Sequence, residues 1–508
     1  MTGVRRAYLL CAVGGVVLGI CSPPRAVGPL VFVVLPLWML AVEELARAPA
    51  RRGRALLAGL IAGTAVNVIA LWWVIGLLQA FGHFPLVAAL PTGALLWIAQ
   101  AMPFVIAIVC ATVLVRAGAP SWLTLPACVV VTCATMPALF PWHIAVSQVE
   151  WITWIQPAEL GGEPLLDLCV GLASTGLVEW SRSRSRRAGL VGLAALFLPL
   201  VWGVVRLPQV TAERDAGELV RVGVVQPNLG IDEKHDPDNW FAHLALLQEM
   251  TRVLEQQGAD VVLWPETAYP FPWARDRTTD DDQPFTMLAR GAHGPLLAGA
   301  VTRRSALERW NSAVGMERGG RVTETYDKVE LLAFGEFVPL WHVLPPLQAS
   351  FRSPGLTAGE VVQTVGLGHV EYGVLICYED ILPGMARRVA RLDPDILVNL
   401  TNDAWFGDTA EPWQHDALAR MRAIETRRDL VRAVNTGVSA HVLATGEQVM
   451  HTETFERRAF IAEARAMHAT TPFTVLGDWV TPACLGALLG AVFALRRRTA
   501  VAGGTAKG

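Results

Sequence analysis

A polytopic α-helical membrane domain of about eight spans, joined to a water-facing α/β domain, is the architecture the sequence predicts, and three observations carry it. Hydrophobic residues fill 53% of the 508 positions and charged ones only 17%, against about 25% charged in soluble domains. The apolar residues are concentrated before about Val205 and again from about Ala483 to Leu495. Between those stretches, short β-type runs alternate with helical periodicity, as in a globular α/β domain.

A bilayer core takes about 20 apolar residues per helix. Stretches of that order run over residues 7–22, 27–45, 55–79, 86–115, 121–140, 164–179 and 190–206, with an eighth over 474–495. Pro91 and Pro103 can kink or divide the long fourth stretch. Arg5 and Arg6 precede a first stretch of signal-peptide length, but more spans follow at once and no Ala-x-Ala site ends it, so an uncleaved anchor is expected.

Orientation follows from arginine, because positively charged loops stay cytoplasmic. Counted this way, one side of the membrane collects Arg5 and Arg6, Arg47 to Arg54, Arg116, Arg182 to Arg187, and Arg496 to Arg498. The odd number of preceding spans then carries the α/β domain out of the cytoplasm. The expected organisation is a seven-helix membrane domain over 1–210, a catalytic domain outside the cytoplasm over 211–472, and a final span with a basic cytoplasmic tail over 473–508. The loop from Pro141 to Pro164 holds Glu150, Glu159 and Glu163 but no Lys or Arg, and its Trp142, Trp151 and Trp154 suit an interfacial belt. The spans hold few ionisable groups apart from Glu43 and Glu44, which argues against a transporter.

The net charge of −3, with no basic run interleaved with aromatics, excludes nucleic acid as an expected partner. Seven of the eight cysteines lie in or beside apolar segments, and only Cys377 falls in the α/β domain. A lone thiol forms no disulfide there, and Cys-x-x-Cys or Cys/His zinc spacing is absent, so neither metal nor cofactor is expected.

Strands are expected over Leu219–Val225, Asp260–Trp264, Leu296–Val301, Val370–Ile376 and Ile396–Leu400, with helices over Phe241–Gln257 and Trp413–Arg428. Three segments place a reactive side chain just past a strand. In Val261-Val262-Leu263-Trp264-Pro265-Glu266, proline ends the ladder and the carboxylate follows a wholly apolar run, where desolvation raises its pKa toward the range useful for a base. Tyr326-Asp327-Lys328 presents an ammonium, and Ile376-Cys377-Tyr378-Glu379 presents the thiol. Each alone has an ordinary structural reading. Together they supply base, oxyanion stabiliser and nucleophile.

These three segments resemble the signatures of the nitrilase superfamily, whose Glu-Lys-Cys triad occurs in this chain order on an αββα sandwich. The likeness narrows to the apolipoprotein N-acyltransferase family through the seven-plus-one spans, Phe334-Gly335-Glu336-Phe337-Val338-Pro339, Asn402-Asp403-Ala404-Trp405-Phe406-Gly407, Ala419 to Glu425, and Asn435 to Ser439. Glu330 and Ala333 depart from that family's His and Pro, and His235 stands where it commonly has Trp.

The resemblance implies that Glu266, Lys328 and Cys377 are catalytic, with Glu336, Tyr378 and Glu379 supporting them. Asn402, Trp405, Phe406 and His235 become candidates for substrate loops. It also implies an acyl donor among phospholipids, phosphatidylethanolamine in particular, and diacylglyceryl apolipoproteins as acceptors. The place would be the cell inner membrane, with the catalytic domain periplasmic. A membrane-tethered nitrilase-type amidase or hydrolase and a non-catalytic envelope scaffold are the alternatives.

Overall fold

The computed structural model describes residues 3–25, 27–141, 143–339 and 355–504; Trp142 of the expected interfacial belt lies outside them. Two compact units emerge, one of residues 1–78, 84–206 and 476–508 and one of residues 79–83 and 207–475.

Six described helices are long and apolar enough to cross a membrane: Gly3–Ile20, Gly28–Arg47, Gly53–Ala70, Leu86–Arg116, Arg186–Asp215 and Val480–Arg497; all belong to the first unit except the part of Arg186–Asp215 past residue 206. The expected third stretch ends early, since a turn at Leu71 to Trp73 separates it from the helix Val74–Ala80. The fourth breaks at Ala101, just before Pro103, whose missing N–H removes a helical hydrogen bond. Two expected spans fall short of the same measure. Ser121–Thr135 has only 15 residues, and Ala158–Ser183, long enough but carrying Glu159, Glu163, Asp167, Glu179 and Arg182, is less apolar; its backbone is also non-helical at Gly161 and Gly162. The last span starts at Val480 because Pro472–Leu476 forms a separate short helix, divided from it by the non-helical residues 477–479.

Several arginines meet at one end of this unit. Arg116 donates to the carbonyls of Leu45 at 2.7 Å and Ala48 at 3.2 Å, where the helix Val31–Arg47 leaves acceptors unpaired. Arg182 and Arg47 pair with Glu43 at 2.9 and 3.2 Å, and Arg6 pairs with Glu44 at 3.4 Å. Away from these arginines, toward the start of the helix Ala158–Ser183, lies a buried polar cluster that apolar periodicity does not reveal: His143 Nδ1 is 2.9 Å from Asp167 and its Nε2 is 3.5 Å from Glu163.

The second unit contains two sheets. The strands are β1 (Leu219–Gln226), β2 (Val261–Trp264), β3 (Trp273–Ala274), β4 (Leu296–Arg303), β5 (Arg309–Met316), β6 (Val322–Asp327), β7 (Thr364–Leu367), β8 (Val370–Ile376), β9 (Ile396–Thr401), β10 (Leu430–Val434), β11 (Ala440–Val442), β12 (Gln448–His451) and β13 (Arg458–Arg465). One sheet runs β13-β1-β2-β4-β5-β6, with β3 beside β4, and the other runs β12-β11-β10-β9-β8-β7. β1, β2 and β4 are parallel, as are β8, β9 and β10.

Alternation along the strands builds the layers. Val222, Val224, Leu263 and Leu297 join Val374, Ile376, Val398 and Leu400 in the core shared by the two sheets. The intervening Val225, Val262 and Trp264 pack instead with Leu244, Leu247 and Leu254 of the helix Trp240–Gln256. Helices Pro383–Ala390 and Glu411–Thr426 pack against β8 and β10 respectively. The arrangement is the expected αββα sandwich, and the carboxyl ends of β2 and β8 present the two segments that carry Glu266 and Cys377.

Candidate active site

Glu266 follows a strand whose four residues are all buried. Pro265 has no N–H to continue the ladder, and Thr267 adopts φ 48°, so the chain turns sharply and keeps the carboxylate only 8% exposed. β4 packs closely beneath this turn. A Cβ on Gly299 would lie 2.0 Å from the Pro265 carbonyl oxygen and 2.7 Å from Glu266 Cα. Gly299→Ala is therefore expected to cost about 1–3 kcal/mol through overpacking. Because backbone of the Glu266 turn must move, chemistry that depends on this carboxylate should fall more than thermal stability does. Comparing melting temperature with turnover in the same preparation checks this.

Lys328 leaves the end of β6, where its N–H donates to the Asn311 carbonyl at 2.8 Å. Its side chain is 1% exposed and sits between two carboxylates, with Nζ 2.7 Å from Glu336 and 3.6 Å from Glu266. Burial alone would lower its pKa, but Glu336, Cys377 and Glu266 outweigh that and hold it above the ordinary lysine value. Lys328 is thus a fixed cation. Glu336 also accepts the Leu332 N–H at 2.9 Å, and Phe334 at φ 65° bends the loop that brings it there.

Cys377 closes β8 and opens the short helical turn Cys377–Ile381. Its φ is 50°, a left-handed conformation that costs a non-glycine residue on the order of 1 kcal/mol or more and is found where a reactive group must be aimed. Burial pushes the thiol pKa well up; Glu266 pushes the same way, and Lys328 opposes them. The resting group is a thiol, so it needs a base. Glu266 suits that task, because burial raises its pKa, Lys328 lowers it, Glu336 raises it and Asn311 lowers it, with a net upward shift.

Two carboxylates behind the reacting groups have distinct partners. Glu379 Oε1 accepts from Tyr326 Oη at 2.8 Å and from the N–H groups of Val329 at 2.8 Å and Glu330 at 3.1 Å, while Oε2 accepts the Ile376 N–H at 2.8 Å. It ties the loop after Lys328 to the strand before Cys377. Burial lifts its pKa to about 7 against the pull of the donors. Asp380 accepts from Arg432 and from His415 Nε2 at 2.7 Å, and His415 Nδ1 lies 3.1 Å from Asp403.

Asp403, Glu411 and His415 come close enough together to consider a metal. Burial would lower the His415 pKa, but Asp380 and Asp403 hold it well above the usual value. A doubly bonded imidazolium has no ring lone pair to offer, and His415 and Arg432 already balance Asp380 and Asp403.

The substrate-loop candidates divide. Trp405 lies with its ring centroid 5.6 Å from that of His235 and 4.9 Å from that of Phe81, and His235 is exposed. Asn402 and Phe406 are buried instead; Asn402 Oδ1 accepts from Asn435 Nδ2 at 3.0 Å, and Phe406 packs below the surface. Tyr378 is half-buried beside the thiol. At the departures, Glu330 pairs with Arg388 at 3.2 Å, and Ala333 bridges to Phe337.

Two residues were missed by sequence reasoning. Asn311 Nδ2 donates to Glu266 Oε1 at 2.6 Å and to Glu336 Oε1 at 3.0 Å, locking both carboxylates around the lysine. The only signal is the polar pair Asn311-Ser312 within the otherwise mostly apolar run of β5, a strand not expected from the sequence. Lys234 touches the Glu266 turn, and in the sequence it is one charge among the acidic residues around it.

Residues 221–466 match the carbon-nitrogen hydrolase family, and residues 14–176 match the apolipoprotein N-acyltransferase N-terminal domain. The chain is 31% identical over 505 residues to the apolipoprotein N-acyltransferase of Gloeobacter violaceus, covering 96% of this chain and 94% of that protein. It is 27% identical to that of Geobacter metallireducens, covering 97% and 96%, and 33% identical to that of Methylococcus capsulatus, covering 71% of each.

Proposed function

The chain belongs to the apolipoprotein N-acyltransferase family, and on that premise we propose that Glu266, Lys328 and Cys377 transfer an acyl group through a thioester. It is a membrane acyltransferase acting on lipid and lipoprotein substrates. The observation that supports the residue assignment is the buried Lys328 ammonium held between Glu266 and Glu336, whose charge favours the thiolate of Cys377 against burial.

In the first half-reaction Glu266 takes the thiol proton as sulfur attacks an ester carbonyl of the donor, for which phosphatidylethanolamine is proposed. Lys328 and the Tyr378 N–H stabilise the oxyanion. Collapse breaks the ester C–O bond, the leaving lysophospholipid alkoxide takes the proton from Glu266, and a thioester remains. The α-amino group of the diacylglyceryl-cysteine then attacks that thioester and passes a proton to Glu266. The second collapse forms the amide and returns the thiol.

In this proposal residues 1–210 are the membrane domain, 211–472 the catalytic domain on the periplasmic side of the inner membrane, and 473–508 the last span and cytoplasmic tail. The gathering of Arg6, Arg47, Arg116 and Arg182 at one end of the bundle supports that orientation.

Cys377→Ala tests the assignment. The wild type should gain the mass of one acyl chain with phospholipid alone and give a triacylated product once a diacylated lipopeptide is added. The variant should do neither. Turnover by the variant overturns the nucleophile, and release of free fatty acid in place of triacylated product would favour a hydrolase.

A further inference from the structure

Lys234 lies on the short helix Ile231–His235, with Asp232 and Glu233 before it and His235 and Asp236 after it. Its Nζ donates to the Glu266 carbonyl oxygen at 3.2 Å and to Thr267 Oγ1 at 2.8 Å. A half-buried ammonium from another segment therefore grips the backbone of the residue assigned as base, in the turn that holds Thr267 at φ 48°. We propose that Lys234 is a positioning residue for the general base, fixing the Glu266 turn and supplying the second positive charge that keeps Glu266 ionised.

Charge balance is the reason. Glu266 and Glu336 share Lys328, and Glu336 takes the shorter contact, 2.7 against 3.6 Å. Asn311 donates to both carboxylates but carries no charge. Left with one ammonium between two buried carboxylates, the pair binds a proton, and a protonated Glu266 cannot accept one from the thiol. Among the described residues Lys234 is the other cation acting on Glu266, and with it two carboxylates face two ammoniums. The other described groups that bear on them have their own partners. Cys377 faces Glu266 and Lys328 as a thiol, Asp403 acts on that thiol and is paired with His415, and Glu233 on the helix of Lys234 lies 3.4 Å from His243. Burial lowers the Lys234 pKa to about 8, opposed by Glu266, so the ammonium is present at neutral pH and is lost in mildly alkaline solution.

The inference rests on Glu266 being the base, and its test uses the full chain in lipid nanodiscs. Acyl-enzyme formation from phosphatidylethanolamine alone, followed by intact mass from about pH 5 to about pH 9, keeps the acceptor amine out of the profile. The wild type should rise through an acid limb and decline near the Lys234 pKa of about 8. Without the cation the ionised form of Glu266 is less favoured, so in Lys234→Met the acid limb should move up by about one pH unit, the rate at neutral pH should fall about tenfold, and the alkaline decline should disappear. Lys234→Arg should restore the wild-type acid limb at a reduced rate and, because arginine keeps its charge throughout this range, should show no alkaline decline. If Lys234→Met does not fold, Lys234→Gln carries the same comparison. A neutral variant with both limbs unmoved overturns the proposal, because lost packing alone lowers the rate equally at every pH. Glu266→Gln is the separate control; acyl-enzyme in that variant would overturn the base assignment itself.

Discussion

On the proposed mechanism, Lys328→Met is expected to reduce acyl-enzyme formation by about 10³-fold or more, because it would remove the oxyanion cation, a loss that costs about 10²–10³-fold in comparable sites, and would disable the proposed base as well. The second effect comes from the pair left behind. Glu266 and Glu336 both approach the same ammonium, and Asn311 fixes one oxygen of each. Without Lys328 the two carboxylates confront one another in a buried site and take up a proton. Breaking such a buried arrangement by removing one partner costs about 3–5 kcal/mol, so the variant should also unfold at lower temperature. Intact mass after incubation with phospholipid reads the first effect and thermal unfolding the second. Acylation within about tenfold of wild type would remove Lys328 from the catalytic set.

Glu379→Ala should strongly destabilise the α/β unit. It strands four donors: the Tyr326 hydroxyl and the N–H groups of Val329, Glu330 and Ile376. An orphaned buried donor costs about 1–3 kcal/mol. Water entering the vacated space offsets part of that, so about 3–5 kcal/mol is expected from denaturant unfolding. Tyr326→Phe removes only one of the four bonds and should cost about 1 kcal/mol.

The pH dependence follows with its sign. Glu379 is raised from the ordinary 4.5 to about 7, so the folded protein holds this proton more tightly than the unfolded chain. Its contribution to stability is complete below 4.5 and is lost as the pH rises through about 7. Glu379→Gln has no such titration, and the difference in stability between it and the wild type should change across that window.

Much of the catalytic segment was legible because local chemistry and function coincide there. The all-apolar run Val261 to Trp264, closed by Pro265, announces a buried strand that must stop, and the next residue is Glu266. A thiol alone in an α/β domain draws the same attention to Cys377. The supporting set was less legible. Glu379 was expected beside the thiol as a helper, whereas its bonds show a brace between the Lys328 loop and β8, made with Tyr326 from 53 positions away. Asn311 reaches Glu266 across 45 positions. Periodicity says which face of a strand is buried, but not which strand lies opposite.

The membrane part divides the same way. Apolar stretches and arginine loops were plain, since lipid selects composition over a whole helix. Breaks at Ala101 and at Gly161 with Gly162, and the His143–Asp167 contact, depend on how neighbouring helices satisfy polar groups.

By itself, then, the sequence determined the two regimes of the chain, the strand ends that bear Glu266, Lys328 and Cys377, and their order, because hydropathy, proline and strand alternation act locally. Only the tertiary structure decided that Lys328 lies between two carboxylates, that Lys234 grips the turn of one of them, and that Asn311 bonds to both. Charge interactions depend on distance and burial, and both are set when sheet register brings remote segments together.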